Sequence, residues 1–166
     1  MNWNDRITAL HKMVESVNNY LFLVERDQKI GVITDLAKKC LHIPYRWAGQ
    51  DPFTGFDCSG LIVYLLRCAG VMQLGEDYTA EQLRHLYPKV QNPDEGILVY
   101  YGKVTAKHVM YCISDTHCIG AVAGTENINT RQAAELAGAM VDLRPITYRT
   151  DILGYNRPFT IPKRED

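Results

Sequence analysis

The chain has 166 residues, of which 46% are hydrophobic and 22% are charged, and its formal net charge is −1. This length and composition are typical of one globular domain that can bury a real core. The near-neutral charge and scattered basic residues argue against a nucleic-acid or anionic-membrane partner, and no apolar run approaches the ~20 residues of a membrane span.

The first third of the chain has helical periodicity. Apolar residues recur at three- and four-residue steps, which predicts an amphipathic helix. These residues are Ile7, Leu10, Val14, Val17 and Leu21. The same spacing from Ile30 to Cys40 predicts a second helix that ends before Pro44. Residues 48–56 are rich in turn formers and predict a loop.

A third helix is predicted directly after this loop, over residues 58–69. Asp57 is a suitable N-cap for it, and Gly70 is a suitable residue just past its end. Thr79 and Gln82 form a capping-box pattern, which predicts a short helix that ends before Pro88.

From Gly96 onward the sequence is typical of β-structure. Short apolar or β-branched runs separated by turns predict five strands, and a polar stretch over residues 130–136 predicts one more helix. The strands are predicted at residues 97–101, 108–113, 118–122, 140–143 and 152–155. Helices followed by closely spaced strands indicate an α+β fold, with the helix at Cys58 packed on a mostly antiparallel sheet. Residues 1–30 are interpreted as a helical extension and residues 31–160 as the principal domain.

The chain has five cysteines, so at least one cannot pair within it, and a reducing compartment is the simpler interpretation. Four of them lie among apolar residues, where free cysteine is commonly a small buried hydrophobe. These four are Cys40, Cys68, Cys112 and Cys118.

Cys58 differs because it lies in the first turn of a predicted helix. Unpaired backbone N–H groups and the positive end of the helix dipole favour a thiolate there, and the same N–H groups can stabilise an oxyanion. Gly60 would let substrate or a neighbouring strand approach the backbone closely. A cysteine at a helix start is more often a core residue than a nucleophile, and a nucleophile also requires a base.

His108 is the candidate base because it opens a predicted strand that can lie beside the helix N-terminus. A surface histidine bonded at a strand end is an equal alternative. The other histidines lie in helices or turns, and they are His11, His42, His85 and His117. No Cys-x₂-Cys pair accompanies them, so neither zinc nor any other cofactor is expected.

Two motifs resemble the nucleophile region of the NlpC-type cell-wall peptidases, which are papain-like cysteine peptidases acting on murein stem peptides. They are the stretches 44–49 (PYRWAG) and 55–61 (GFDCSGL). The similarity continues through residues 96–100 and 108–111 and spans about residues 32–157. The resemblance implies a papain-like fold and hydrolysis of the amide between D-glutamate and a diamino acid.

The resemblance implies that Cys58 is the nucleophile and His108 the base. It also implies that Tyr45, Asp57 and Ser59 help line the subsite for the amino end of the stem peptide. On the residues alone, Asp57 could be only an N-cap, Ser59 only a first-turn residue, and Tyr45 a packed aromatic residue.

The sequence departs from the family pattern at two positions. Ile97 stands where many members have aspartate, and Gly120 stands where the residue that orients the base usually lies. The Cys–His pair could act as a dyad, or another side chain could reach the base; the alternatives are Glu126, Asn127 and His117. The glycine-rich stretch 120–124 suggests close backbone approach, for example by a ligand.

The leading hypothesis is therefore a murein endopeptidase. A related amidase or acyltransferase is a second hypothesis, and a non-catalytic murein-peptide-binding or structural component of a phage tail or secretion device is a third. The N-terminus has no basic, apolar leader pattern, so the protein is expected to be cytoplasmic as made and delivered to the wall by phage or dedicated export. The oligomeric state is not readable from the sequence.

Overall fold

The computed structural model describes residues 3–159. The first element is a single long helix, α1 (Trp3–Lys39), so the prediction of two separate helices over this stretch was wrong. No proline interrupts the stretch, and Gly31 alone does not break a helix. Residues 5–21 are exposed, whereas Ile33 and Ala37 near the end of the helix are buried in the core.

The remaining elements follow the predicted order. They are β1 (Gln50–Asp51), β2 (Gly55–Phe56), α2 (Cys58–Cys68), α3 (Ala80–Leu86), β3 (Lys89–Val90), β4 (Leu98–Tyr101), β5 (His108–Cys112), β6 (His117–Val122), α4 (Arg131–Ala137), β7 (Met140–Pro145), a 3₁₀ turn (Ile146–Tyr148) and β8 (Ile152–Asn156). The N-caps predicted for α2 and α3 are confirmed, and the capping box of Thr79 has both its bonds.

Six strands form one sheet in the order β3-β8-β4-β5-β6-β7, and every neighbouring pair in it is antiparallel. The predicted α+β class, with an N-terminal helix and an antiparallel sheet, is confirmed. The strands β1, β2 and β3 were not predicted. Each has two residues, too few to show the alternation that identifies a strand.

The two faces of the sheet pack against different clusters because side chains alternate along each strand. Val109 and Tyr111 of β5 join the larger cluster, which also contains the inner faces of α1 and α2. Met110 and Cys112 join a smaller cluster on the opposite face, together with Tyr101 of β4. Of all the strands, β5 packs most closely on α2. This packing fixes the first turn of α2 against the start of β5.

All five cysteines are free. Cys40, Cys112 and Cys118 are buried as expected, but Cys68 is exposed, so the expectation for that residue was wrong. Cys68 is the last residue of α2. Within residues 3–159, no helix is long and apolar enough to cross a membrane.

Candidate active site

Asp57 holds the loop before α2 to the start of that helix. Its Oδ1 accepts a hydrogen bond from the Gly60 amide (2.7 Å) and one from the Ser59 hydroxyl (3.2 Å). Its Oδ2 accepts a bond from the Ala48 amide (3.0 Å). Burial raises the pKa of this carboxyl, although these three donors oppose the shift. Asp57 is therefore the helix cap and also fixes the position of Cys58.

The backbone around Cys58 is closely packed. A Cβ on Gly60 would overlap the carbonyl oxygen of Gly49, and a Cβ on Gly49 would overlap that of Gly55. The Asp57 amide also donates to the Gly49 carbonyl (3.1 Å). The close approach expected at Gly60 is thus made by the preceding loop, and neither a substrate nor a strand of the large sheet makes it.

Cys58 is half-buried at the start of α2. The backbone N–H groups of Val109, the residue after His108, and of Ser59 lower the pKa of its thiol. Burial, followed by the nearby Asp57 carboxylate, nevertheless raises the pKa of the Cys58 thiol to about 11. The backbone at the helix start thus favours the thiolate, but desolvation outweighs this contribution.

His108 is buried at the start of β5. Its ring packs beside Tyr101, with centroids 5.7 Å apart, and edge-on to Tyr148, with centroids 6.5 Å apart. Its Nε2 is buried and has no hydrogen-bond partner among the described residues. Burial, together with the Arg149 cation, lowers the pKa of His108 to about 4. The imidazole is therefore neutral at pH 7.

Arg149 and Asp151 form an ion pair next to His108, and sequence reasoning missed both. Arg149 lies over the Tyr101 ring (5.5 Å) and contacts Asp151 through two bonds of 2.8 and 2.6 Å. The carboxylate of Asp151 partly offsets the effect of Arg149 on the pKa of His108. Neither residue lies in a recognisable sequence motif. The 3₁₀ turn before β8 brings them close to His108 in the fold.

A cavity of about 610 Å³ opens at the start of α2. Cys58 lines it together with all three residues predicted to bind substrate, namely Tyr45, Asp57 and Ser59. The acidic residues Asp77 and Glu81 of the lining come from the segment that contains α3. His108 does not line the cavity, but the residue before it, Lys107, does.

Gly120 stands where the family usually has the residue that orients the base, and a side chain of the neighbouring strand β5 occupies the space beside it. A Cβ on Gly120 would lie 2.5 Å from Cγ of Met110, whose side chain occupies that space. The three alternatives from the sequence are exposed, and none is hydrogen-bonded to His108 within residues 3–159; they are Glu126, Asn127 and His117. The Tyr45 ring fills the equivalent space at Gly124. Side chains therefore account for the close approach at both glycines, and no ligand is required.

Replacing Arg149 with glutamine is expected to raise the pKa of His108. The change removes a cation that favours the neutral imidazole and leaves the Asp151 carboxylate, which favours the imidazolium. NMR titration of the histidine rings would measure the shift. The matched control is Arg131→Gln, whose partner Glu135 is on the exposed face of α4. An unchanged or lower His108 pKa in Arg149→Gln would contradict the expectation.

Comparison with known proteins identifies the family to which the chain belongs. Residues 42–140 match the model of the NlpC/P60 family, and this range includes Tyr45, Cys58, His108 and Gly120. The chain belongs to the NlpC/P60 family. The prediction from the two sequence motifs is confirmed.

Two curated relatives in this family are peptidoglycan endopeptidases. The chain is 37% identical over 73 residues to the murein DD-endopeptidase MepH of Escherichia coli (strain K12), covering 40% of this chain and 26% of that one. It is 36% identical over 61 residues to the bifunctional muramidase/DL-endopeptidase CwlT of Bacillus subtilis (strain 168), covering 36% of this chain and 18% of that one. The matches thus span about a quarter or less of these relatives.

The fold is also similar to that of a lipoprotein-like NLP/P60 family protein from Staphylococcus aureus. The TM-score is 0.64 at 21% identity, over 81% of this chain and 43% of the other. At this identity the match shows the shared fold alone.

Proposed function

We propose that this chain is a cysteine endopeptidase that hydrolyses amide bonds in peptidoglycan stem peptides. One observation carries the proposal. Cys58 lies on the wall of a large cavity, in the first turn of α2, and α2 packs against β5, the strand that begins with His108. The family relationship to peptidoglycan endopeptidases supports the choice of substrate.

The two reacting groups start as a neutral thiol and a neutral imidazole, because burial raises the pKa of Cys58 and lowers that of His108. In the proposed mechanism His108 takes the thiol proton as Sγ attacks the substrate carbonyl carbon. Backbone amides of the first turn of α2 then stabilise the oxyanion. The protonated His108 gives its proton to the leaving amine, and water hydrolyses the acyl-enzyme.

The cavity lining favours a substrate with an amino group. Three acidic residues, Asp57, Asp77 and Glu81, line the cavity with one basic residue, Lys107, and Glu81 is paired with Arg84. An ammonium group at the amino end of a stem peptide is complementary to this charge. Tyr45 and Ser59 add hydroxyl groups to the same wall. We therefore assign Tyr45, Asp57 and Ser59 to the subsite for the amino end of the stem peptide.

The bond proposed for cleavage is the amide between the γ-carboxyl of D-glutamate and the diamino acid. A free amino end in the acidic part of the cavity would place this bond, two residues along the peptide, near Cys58. The two curated relatives are named for different bonds, a DD-bond and a DL-bond. The choice between them therefore rests on the proposed binding of an amino terminus in the acidic part of the cavity.

Incubation with defined muropeptides, followed by mass analysis, tests both parts of the proposal. Uncross-linked stem peptides with a free amino end should give a fragment that begins with the diamino acid. Release of monomers from cross-linked dimers instead would support endopeptidase activity and contradict the assigned bond. Intact substrates in both cases would contradict the endopeptidase proposal itself.

A second candidate function is the binding of murein peptides without catalysis. It is favoured by the buried Nε2 of His108, which has no partner among residues 3–159, and by the raised pKa of the Cys58 thiol. In a catalytic triad one ring nitrogen faces the nucleophile and the other bonds the orienting residue, and Nε2 of His108 has neither partner among residues 3–159. Saturable muropeptide binding without any product would support this function and contradict the first.

A further inference from the structure

The exposed part of α1 carries a regular apolar seam. Six residues at alternating three- and four-residue steps form it, and each is between 38% and 59% exposed. They are Ile7, Leu10, Val14, Val17, Leu21 and Val24. This spacing averages 3.5 residues and matches the a and d positions of three consecutive heptads. A repeat of this length is typical of a helix that packs lengthwise against another helix.

The domain contacts a different face of α1. Phe22, Arg26 and Lys29 are half-buried and line a small cavity against Tyr87 and Phe159. These three residues lie roughly a third of a turn around the helix from the seam, as a 100° step per residue requires. The domain of the same chain therefore leaves the seam uncovered.

We propose that the seam binds the seam of a second copy of this chain in an antiparallel two-helix coiled coil. The antiparallel register pairs position 7 with position 24, position 10 with position 21, and position 14 with position 17. Each a residue then faces a d residue of the partner. All six seam positions of both helices are covered in this arrangement.

The residues that flank the seam favour the antiparallel orientation. In that register Arg6 lies opposite the partner's Asp27, and the pair occurs twice by symmetry. Met13 lies opposite the partner's Tyr20, and both side chains are 66% exposed in the single chain. A parallel pair would instead place Arg6 beside the partner's His11, with no opposite charge.

The length of the exposed part of α1 also fits pairing with a second copy of the chain. The seam from Ile7 to Val24 is 18 residues long, or about 27 Å. In the antiparallel register the partner's helix begins beside residue 28, just before Ile33 enters the core. The two domains then lie at opposite ends of the coiled coil. A parallel pair would bring both domains to the same end, where they would compete for space.

Sedimentation equilibrium of the full chain tests the association. We expect a dimer with twice the 18.9 kDa chain mass at micromolar concentration. Val14→Glu and Val17→Glu each place a charge at the centre of the seam, so each should weaken dimerisation at least about 100-fold. Ser16→Glu adds the same charge outside the seam and should leave the dimer intact. A wild-type monomer or higher oligomer, or equal dissociation of Ser16→Glu, would overturn the proposal.

Two further measurements test the orientation. Arg6→Asp or Asp27→Arg alone should weaken the dimer, and the two changes together should restore it. In a Cys58→Ala, Cys68→Ala background, which removes the two accessible native thiols, Leu10→Cys chains mixed with Leu21→Cys chains should form mixed disulfides under mild oxidation, whereas each variant alone should form few. Efficient self-linking of Leu10→Cys, or failure of the double charge reversal to restore the dimer, would overturn the antiparallel arrangement.

Discussion

Replacing Cys58 with alanine is expected to abolish stem-peptide hydrolysis, with a loss of about 10⁴-fold or more. The change removes the sulfur that the proposed mechanism requires, and no other cysteine lines the cavity. The fold should survive, because Cys58 is half-buried and Asp57 still caps α2. Timed muropeptide digestion measures the activity, and circular dichroism checks the fold.

Cys68→Ala is the matched control. Cys68 lies at the other end of the same helix and is exposed, so its replacement should leave hydrolysis unchanged. Loss of activity in Cys68→Ala would show that the assay responds to any thiol change. Persistent hydrolysis by a folded Cys58→Ala variant would contradict the assignment of the nucleophile.

Replacing Gly60 with alanine is expected to destabilise the protein by about 3 kcal/mol. The new Cβ would overlap the Gly49 carbonyl oxygen, a backbone atom that already accepts a hydrogen bond from Asp57. Relief of the overlap would require the loop and the first turn of α2 to separate. Urea denaturation would report the loss as a lower midpoint at an unchanged slope.

Gly31→Ala provides a matched control for the chemical change. Gly31 lies in the middle of α1, and its Cβ would meet no atom within 4 Å. The substitution should therefore raise the free energy of unfolding by about 0.5–1 kcal/mol, the helix-propensity difference. Equal effects of Gly60→Ala and Gly31→Ala would show that the contact with Gly49 is unimportant.

The sequence predicted the elements that have strong local signals. The helix that begins at Cys58, its Asp57 cap, the Thr79 capping box and the five longer strands all occur within a few residues of their predicted bounds. Each is specified by periodicity or by a hydrogen-bonding side chain at a fixed offset. The break predicted within α1 was wrong. The first part of this helix is exposed and its end packs in the core, and the resulting change in the apolar pattern resembles a boundary between two helices.

The site was less predictable than the fold because its electrostatics depend on distant residues. The position of Cys58 at a helix start could be predicted, but the burial that raises the pKa of its thiol depends on the tertiary fold. Arg149 reaches His108 only because of the 3₁₀ turn before β8. The role of Cys58 is a prediction that Cys58→Ala tests, and the role of His108 stays a prediction.

The packing of Met110 into the space beside Gly120 constrains the order in which this site can change. A larger residue at 120 would collide with Met110, and trimming Met110 first would leave a cavity; each step alone costs about 1–5 kcal/mol. The two changes compensate only when both are present. A polar residue at position 120 that could orient His108 would therefore have to be acquired through a less stable single mutant. Selection on single mutations would tend to preserve Gly120.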